Sequence, residues 1–347
     1  MLKRVGINGF GRIGRNFFRA GFEKVDICAI NDLPFPITSL SHLLKYDSLM
    51  GIYKNDVSVV NDCLLVAGKK IKVFSQSNPS KIEWNKMGID IVVEAVGLFT
   101  EKKRAAQHLK HGVKKVIITA PAQNEDITII MGVNEKEYIP RKHHIISPGS
   151  CTVNCLVPVL KIINDNLGVE EAFMTTVHCY TQNQRLVDSP HKDLRRARMA
   201  GINMIPTETT AIESAIKVLP ELEGKIKGLA IRVPIPNVSL IELMCNTKKT
   251  STKKELNEIF KSACRKNKQI GYTEVPLVSI DFLHDKRSAI IAGDLTEIVG
   301  NKMIHVVAWY NNEWAYTNRL VELVELIQEE SSQVIDAKLE LLLKDEL

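Results

Sequence analysis

Residues 3–32 hold the pattern that most restricts what this chain can become. A short apolar stretch, Arg4-Val5-Gly6-Ile7-Asn8, runs into Gly9-Phe10-Gly11-Arg12-Ile13-Gly14, and Ile13, Phe17 and Phe18 then recur at helical spacing. A second stretch from Val25 to Ile30 ends in Asn31-Asp32, which puts an acid 18 residues beyond the last glycine. Strand, glycine turn, helix, strand and acid in that order predict a βαβ unit that binds a dinucleotide. Gly9 permits the tight turn, Gly11 lets the backbone approach a pyrophosphate, and Gly14 lets helix and strand pack closely. The helix start offers free N–H groups and partial positive charge to the phosphates. The Asp32 carboxylate can accept from ribose hydroxyls and opposes a 2′-phosphate, so NAD is expected rather than NADP. The alternative is a tight glycine turn with no ligand. Gly9, Gly11, Arg12, Ile13, Gly14, Asp32 and Thr119 are the candidate cofactor residues of this half.

The alternation continues with strands at Ile89 to Val93 and Lys115 to Thr119, and a helix between them at Glu101 to Leu109. It predicts a doubly wound parallel sheet. Residues 57–75 read as short antiparallel strands, with turns at Asn61-Asp62 and Gly68, inserted beside that sheet. At 347 residues the chain suits two domains. No apolar stretch is long enough to span a membrane. The N-terminus lacks the apolar segment of a signal peptide, so a cytoplasmic location is expected. The net charge of +6 is spread along the chain, which does not suggest a nucleic-acid partner. The seven cysteines form no paired framework and are expected as free thiols. Four-ligand metal spacing is missing as well, so no metal is expected.

The second half carries reactive groups. Ser150 precedes Cys151-Thr152-Val153-Asn154-Cys155, and Leu156, Val159, Leu160 and Ile163 follow at helical spacing. Ser150 is a plausible N-cap, which places Cys151 in the first helical turn, where the dipole favours a thiolate. The alternative is a buried structural cysteine, the expected fate of Cys28 and Cys245. His178 closes the apolar strand Ala172 to Val177, a fit position for a base. Taken alone it reads equally as a structural histidine, and its 27-residue distance from Cys151 says nothing about contact.

Several strings then resemble the glyceraldehyde-3-phosphate dehydrogenase family. They are Asn8 to Arg15, Ser150-Cys151-Thr152 with Asn154, Thr175 to His178, His191 to Arg198, Arg232-Val233-Pro234 with Pro236 to Ser239, and Trp309-Tyr310 with Asn312-Glu313. They follow family order and cover about residues 3 to 328. The resemblance implies an NAD-dependent, phosphorylating aldehyde dehydrogenase that acts on a sugar-phosphate aldehyde. Cys151 is then the nucleophile of a thioester pathway and His178 its base. By family position, Thr181 and Arg232 hold the substrate phosphate. Ser150, Thr152, Arg198, Thr209 and Thr210 surround the inorganic phosphate, while Arg195 and Arg196 read as a solvated or interface cluster. Asn312 is expected on the nicotinamide carboxamide, with an ordinary helix N-cap as its alternative. The implied fold is a Rossmann-type α/β domain over 1–150, completed by a C-terminal helix at 313–330. An α+β catalytic domain at 151–312 should hold a mainly antiparallel sheet, with strands near 170–177, 226–233, 238–246 and 302–309. A homotetramer is implied, with the loop from about 179 to 203 at subunit contacts.

The sequence also departs from the family. Val153, Pro148, Gly149, Thr210 and Ala315 replace usual residues, and Glu208 stands beside the expected phosphate site. A carboxylate pointing inward there would weaken phosphate binding. These departures leave an alternative: an erythrose-4-phosphate dehydrogenase, which ends in hydrolysis. A catalytically weak binding protein is a third reading. The tail 331–347 runs past the usual family end, reads as a short amphipathic helix, and closes on Lys344-Asp345-Glu346-Leu347. With no signal peptide expected, that retention-like string reads as coincidence.

Overall fold

The computed structural model describes the backbone of residues 3–344 and the side chains of residues 3–330. The chain divides into two compact units. One comprises the chain up to Ile129, Lys136–Pro148 and the segment from Thr317 onward, and the other comprises Ile130–Glu135 and Gly149–Tyr316. Among the described residues no helix is long and apolar enough to cross a membrane.

The first unit is built on a sheet ordered Ile127–Thr128, Ile145–Ser147, Lys115–Ile118, Ile91–Glu94, Arg4–Asn8, Asp26–Asn31, Lys69–Phe74, Cys63–Val66 and Val57–Val60. Its first seven strands are parallel. The central ones are buried on both faces, which is why Ile91-Val92-Val93 reads as an unbroken apolar run. Arg4–Asn8 lies between the strand that follows it and Ile91–Glu94, so the strand order reverses there. The carboxyl ends of these strands, where Gly9, Asp32 and Thr119 begin their loops, form the ligand-binding edge of such sheets.

Residues 57–74 are not an insertion beside the sheet; they extend it. Two hairpins turn at Asn61-Asp62 and Ala67-Gly68, with positive φ at Asn61, Ala67 and Gly68. The last strand, Lys69–Phe74, then pairs parallel with Asp26–Asn31. The helix expected over 101–109 is a short α-helix, Lys102–Ala105, tightened into a 3-10 turn, Ala106–His111, that ends on left-handed Gly112.

A buried polar chain fixes the carboxyl edge of this sheet. Trp84 Nε1 can only donate, and it reaches His108 Nδ1 at 3.0 Å, so the imidazole proton sits on Nε2. That proton goes to Glu94 Oε2 at 2.9 Å, and Asn8 Nδ2 donates to the same oxygen at 2.5 Å. Val96 N–H donates to Glu94 Oε1 at 2.9 Å. Three donors therefore hold a buried carboxylate directly behind the glycine turn.

The second unit's sheet is ordered Ile205–Thr207, Ile226–Val233, Val169–Cys179, Ser239–Thr247, Met303–Tyr310, Ala289–Ala292 and Ile270–Thr273, with Glu297–Val299 also on Met303–Tyr310. It is mainly antiparallel; Val169–Cys179 with Ile226–Val233 and Ile270–Thr273 with Ala289–Ala292 are the parallel pairs. Helix Cys151–Leu167 buries Leu156, Val159, Leu160 and Ile163 in its core. Helix Lys253–Lys266 starts on a Thr252–Glu255 capping box.

The C-terminal helix is a single run, Trp314–Lys344, rather than a helix to 330 and a separate tail helix. The final Asp345, Glu346 and Leu347 lie outside the described residues.

Close packing makes the first prediction. A Cβ on Gly14 would stand 2.1 Å from the Gly9 carbonyl oxygen, and backbone cannot yield as a side chain can. Gly14→Ala is expected to destabilise the protein by about 3 kcal/mol, the upper end for overpacking. Urea unfolding measures this, and an unchanged midpoint would show that the helix shifts freely.

Candidate active site and nucleotide cradle

The helix Cys151–Leu167 begins where Ser150, in extended backbone, accepts from Val153 N–H through its Oγ at 3.3 Å. This cap leaves Cys151 in the first turn, among N–H groups without intrahelical partners. His178 is the last residue but one of Val169–Cys179. The structure brings the two together: Cys151 Sγ lies 3.6 Å from His178 Nε2. Parallel pairing sets Arg232 directly opposite His178, because both stand next to the ends of neighbouring strands. Arg232 Nη1 reaches His178 Nδ1 at 2.6 Å and donates to the Cys179 carbonyl at 3.1 Å. His178 Nδ1 is also 2.7 Å from that carbonyl and 3.6 Å from Cys179 Sγ.

Burial first, then the positive charges of Arg232 and Arg196, depress the His178 imidazole to about 3, against the pull of the Cys179 carbonyl. Burial also pushes the Cys151 thiol up. Arg232, the Thr152 hydroxyl and the N–H groups of Thr152 and Cys151 oppose that rise. The helix start thus acts in the expected direction, against the larger effect of desolvation.

Tyr310 was not singled out as a site residue, yet it stands at the centre of the site's buried network. Its ring meets the His178 ring edge-on at a centroid distance of 6.0 Å. Thr176 Oγ1 donates to the Leu240 carbonyl at 3.0 Å, so it must accept from the Tyr310 hydroxyl at 2.9 Å. The Tyr310 hydroxyl also lies 2.9 Å from Thr152 Oγ1, whose hydroxyl faces Cys151 as well. The only sequence signal was a phenol ending the apolar strand Met303–Tyr310, since a buried hydroxyl needs a partner.

The other expected anion residues fall on loops and a helix start. Thr181 N–H donates to Gln184 Oε1 at 3.2 Å, just after His178's strand. Thr209 Oγ1 accepts from Ala211 N–H at 3.2 Å, and Thr210 is the N-cap position of helix Ala211–Val218. The Glu208 side chain is exposed. The two arginines of this loop have different surroundings. Arg198 donates to Asp188 Oδ2 at 2.9 Å, and both side chains are largely exposed. Arg196 is instead held by Thr207 Oγ1 at 2.9 Å and Asp193 at 3.4 Å, close enough to Arg232 and His178 for its charge to act on both. Two arginines one residue apart from a common alanine look alike in sequence; only the loop path distinguishes them.

Asn312 Oδ1 accepts from Val238 N–H at 3.1 Å, which fixes its amide plane. The helix cap is its neighbour: Asn311 Oδ1 accepts from Glu313 N–H and Trp314 N–H at 3.0 and 2.7 Å. The N-cap alternative for Asn312 is thereby removed. Val238 itself sits at φ +65°, costly for a β-branched residue, and is pinned by Asn237 Oδ1 as well as Asn312.

In the first unit, Asp32 is oriented by two backbone donors, Phe10 N–H to Oδ2 at 3.2 Å and Leu33 N–H to Oδ1 at 2.8 Å. Gly11 caps helix Arg12–Gly21 without a side chain, and a Cβ built on it would meet nothing within 4 Å. An open backbone face at an uncapped helix start, with a fixed carboxylate close in the chain, fits a dinucleotide. Arg12 turns its guanidinium to Asp47, so its contribution to such a ligand is its backbone N–H. Thr119 N–H donates to the Glu94 carbonyl at 3.0 Å on the same sheet edge.

A dinucleotide cradle and a cysteine–histidine pair carried on one chain fit the class of nucleotide-dependent dehydrogenases. Residues 3–102 match the description "Glyceraldehyde 3-phosphate dehydrogenase, NAD binding domain", and residues 150–312 match "Glyceraldehyde 3-phosphate dehydrogenase, C-terminal domain". The chain is 48% identical to the glyceraldehyde-3-phosphate dehydrogenase of Streptomyces coelicolor over 333 residues, which is 94% of this chain and 99% of that one. It is also 48% identical to those of Geobacillus stearothermophilus and, as glyceraldehyde-3-phosphate dehydrogenase 1, Bacillus subtilis, over 331 residues, 94% of this chain and 98% of each. The chain belongs to the glyceraldehyde-3-phosphate dehydrogenase family. The erythrose-4-phosphate alternative finds no support among these relatives.

Proposed function

We propose that this chain oxidises glyceraldehyde 3-phosphate with NAD and inorganic phosphate to 1,3-bisphosphoglycerate. The observation that carries the reading is the Cys151 sulfur, 3.6 Å from the His178 ring at a helix start, in a member of this family. Cys151 Sγ bonds to the aldehyde carbon, and the carbonyl oxygen becomes a hydroxyl. His178 Nε2 takes the hydroxyl proton as the carbon loses its hydrogen with the bonding pair, which leaves a thioester on Cys151. Bound NAD supplies the acceptor for that hydride. Gly9, Gly11, Gly14 and the N–H groups of Arg12 and Ile13 suit its pyrophosphate, Asp32 its ribose, and Thr119 and Asn312 other parts of it. Phosphate oxygen then attacks the thioester carbon, and the thiolate leaves. N–H groups at the helix start stabilise the oxyanion of both additions.

Arg232 and Thr181 hold the substrate phosphate; Ser150, Thr152, Thr209, Thr210 and Arg196 meet the inorganic phosphate. Arg196 replaces Arg198 in this assignment because Arg198 is paired with Asp188 at the surface. Arg196→Ala should raise the phosphate concentration for half-maximal turnover by roughly ten- to a hundredfold, the worth of a charge-assisted hydrogen bond. Arg198→Ala should change it by less than about threefold. Phosphate titration of steady-state NADH production measures both, and a larger effect for Arg198 would reverse the assignment. Turnover independent of phosphate would mean hydrolysis instead.

The nucleotide-binding domain is read as residues 1–150 with the C-terminal helix, and the catalytic domain as 151–312. The loop from 179 to 203 exposes Leu186, Val187, Leu194 and Ile202. Such exposed apolar side chains support subunit contacts; a cytoplasmic homotetramer is the reading that the family resemblance adds.

A further inference from the structure

Two buried donors beside the end of the strand Val169–Cys179 have no acceptor. Among the described residues, Arg232 Nε and Gln184 Nε2 are buried without a hydrogen-bond partner, and Gln184 as a whole is only 8% exposed. A buried N–H that lacks an acceptor is a cost to the fold, and a ligand that brings the acceptor explains why the group is kept there. The chain path gathers both donors around residues 179–181. Arg232 Nη1 donates to the Cys179 carbonyl at 3.1 Å, and Tyr180 N–H donates to the Ile235 carbonyl at 3.1 Å. A turn then closes over Thr181: Gln184 N–H donates to the Thr181 carbonyl at 3.0 Å, and Gln184 Oε1 accepts from Thr181 N–H at 3.2 Å. That last contact orients the amide, because a backbone N–H requires the oxygen and leaves the NH2 as the unpaired end. Amide geometry puts Nε2 about 2.3 Å from Oε1, and so within about 6 Å of the Thr181 nitrogen.

We propose that Gln184 is a substrate-binding residue, whose side-chain NH2 donates to the phosphate of the sugar-phosphate aldehyde beside Thr181 and Arg232. This rests on the functional reading above, in which Thr181 and Arg232 hold that phosphate, and deepens it by adding a neutral donor to the anchoring end of the site. A phosphate monoester presents three strong acceptor oxygens, enough to take the Arg232 Nε–H and the Gln184 NH2 together. The residue type suits the place. Arg232 and Arg196 are already close enough for their charges to oppose one another, and a further cation would add repulsion whenever the site is empty. An amide adds a hydrogen bond without adding charge. Gln184 then has two separable tasks: its oxygen holds the backbone of Thr181, and its nitrogen meets the ligand.

The two tasks come apart in Gln184→Glu. The carboxylate keeps an oxygen for Thr181 N–H but sets a negative acceptor where the amide donor was, facing the dianion. The measurement is steady-state NADH production by the full chain with two aldehydes, glyceraldehyde 3-phosphate and glyceraldehyde, which lacks the ester. The proposal expects the kcat/KM ratio of the first aldehyde to the second to fall by about ten- to a hundredfold in Gln184→Glu, the worth of a hydrogen bond to a charged group. The loss should appear in KM for glyceraldehyde 3-phosphate rather than in kcat, as befits binding made equally in ground and transition states. A wild-type ratio in Gln184→Glu overturns the proposal, since the oxygen alone would then be what matters. Gln184→Met in a Thr181→Val background gives a second, independent reading. There the methionine should lower the ratio further; no further change means that Gln184 acts only through Thr181 and also overturns the proposal, even if Gln184→Glu does not fold. Failure of the functional reading shows separately, in the wild type, as no preference for glyceraldehyde 3-phosphate over glyceraldehyde or no NADH from either.

Discussion

Cys151→Ser should end NADH production, both in the first turnover and in the steady state. The change keeps the size of the side chain and the helix start, so the fold and the Ser150 cap are retained. It removes the sulfur that lies 3.6 Å from His178 Nε2. A serine hydroxyl is a far weaker nucleophile than a thiol or thiolate. Loss of the nucleophile from such a unit costs on the order of 10⁴- to 10⁶-fold. No neighbouring thiol can substitute. Cys155 is fully buried one helical turn on, and Cys179 is buried on the Nδ1 side of the ring. Stopped-flow NADH absorbance decides the matter: a burst of full amplitude and near-native rate in the variant would remove the thioester pathway.

What the sequence revealed and what it hid divide along a physical line. Features fixed by backbone sterics within a few residues were legible. Gly9 at φ +92° and Gly14 against the Gly9 oxygen leave no room for a side chain, and that exclusion is written directly as G-x-G-x-x-G. The Ser150 cap is equally local. Features that depend on how distant segments meet were not. The opposition of His178 and Arg232 needs the register of two parallel strands 54 residues apart. Arg196 faces the site and Arg198 faces Asp188 because of a loop path that no periodicity encodes. Residues 57–74 have the turns that were expected, but sequence could not say which side of Asp26–Asn31 they would pair on. Desolvation at Cys151 was missed for the same reason: a helix dipole can be read from a cap, whereas burial depends on everything packed around the sulfur.

His178→Asn should reduce kcat by about 10²- to 10⁴-fold, the usual worth of a positioned general base, with little change in KM for the aldehyde. The variant's rate should keep rising with pH, because its thiol must give its proton to solvent. The same substitution has a second, independent signature. Burial and then Arg232 lower His178 from 6.5 to about 3, so between those values the unfolded chain binds a proton that the folded one refuses. Stability from this group is fully present above pH 6.5 and is lost as pH falls towards 3, by up to about 1.4 kcal/mol per unit. Asparagine does not titrate, so the variant should lose about 2 kcal/mol less than wild type between pH 7 and pH 5 in urea unfolding. Equal acid sensitivity in the two proteins, together with near-native turnover in the variant, would mean that the imidazole is neither strained by its surroundings nor the base that serves Cys151.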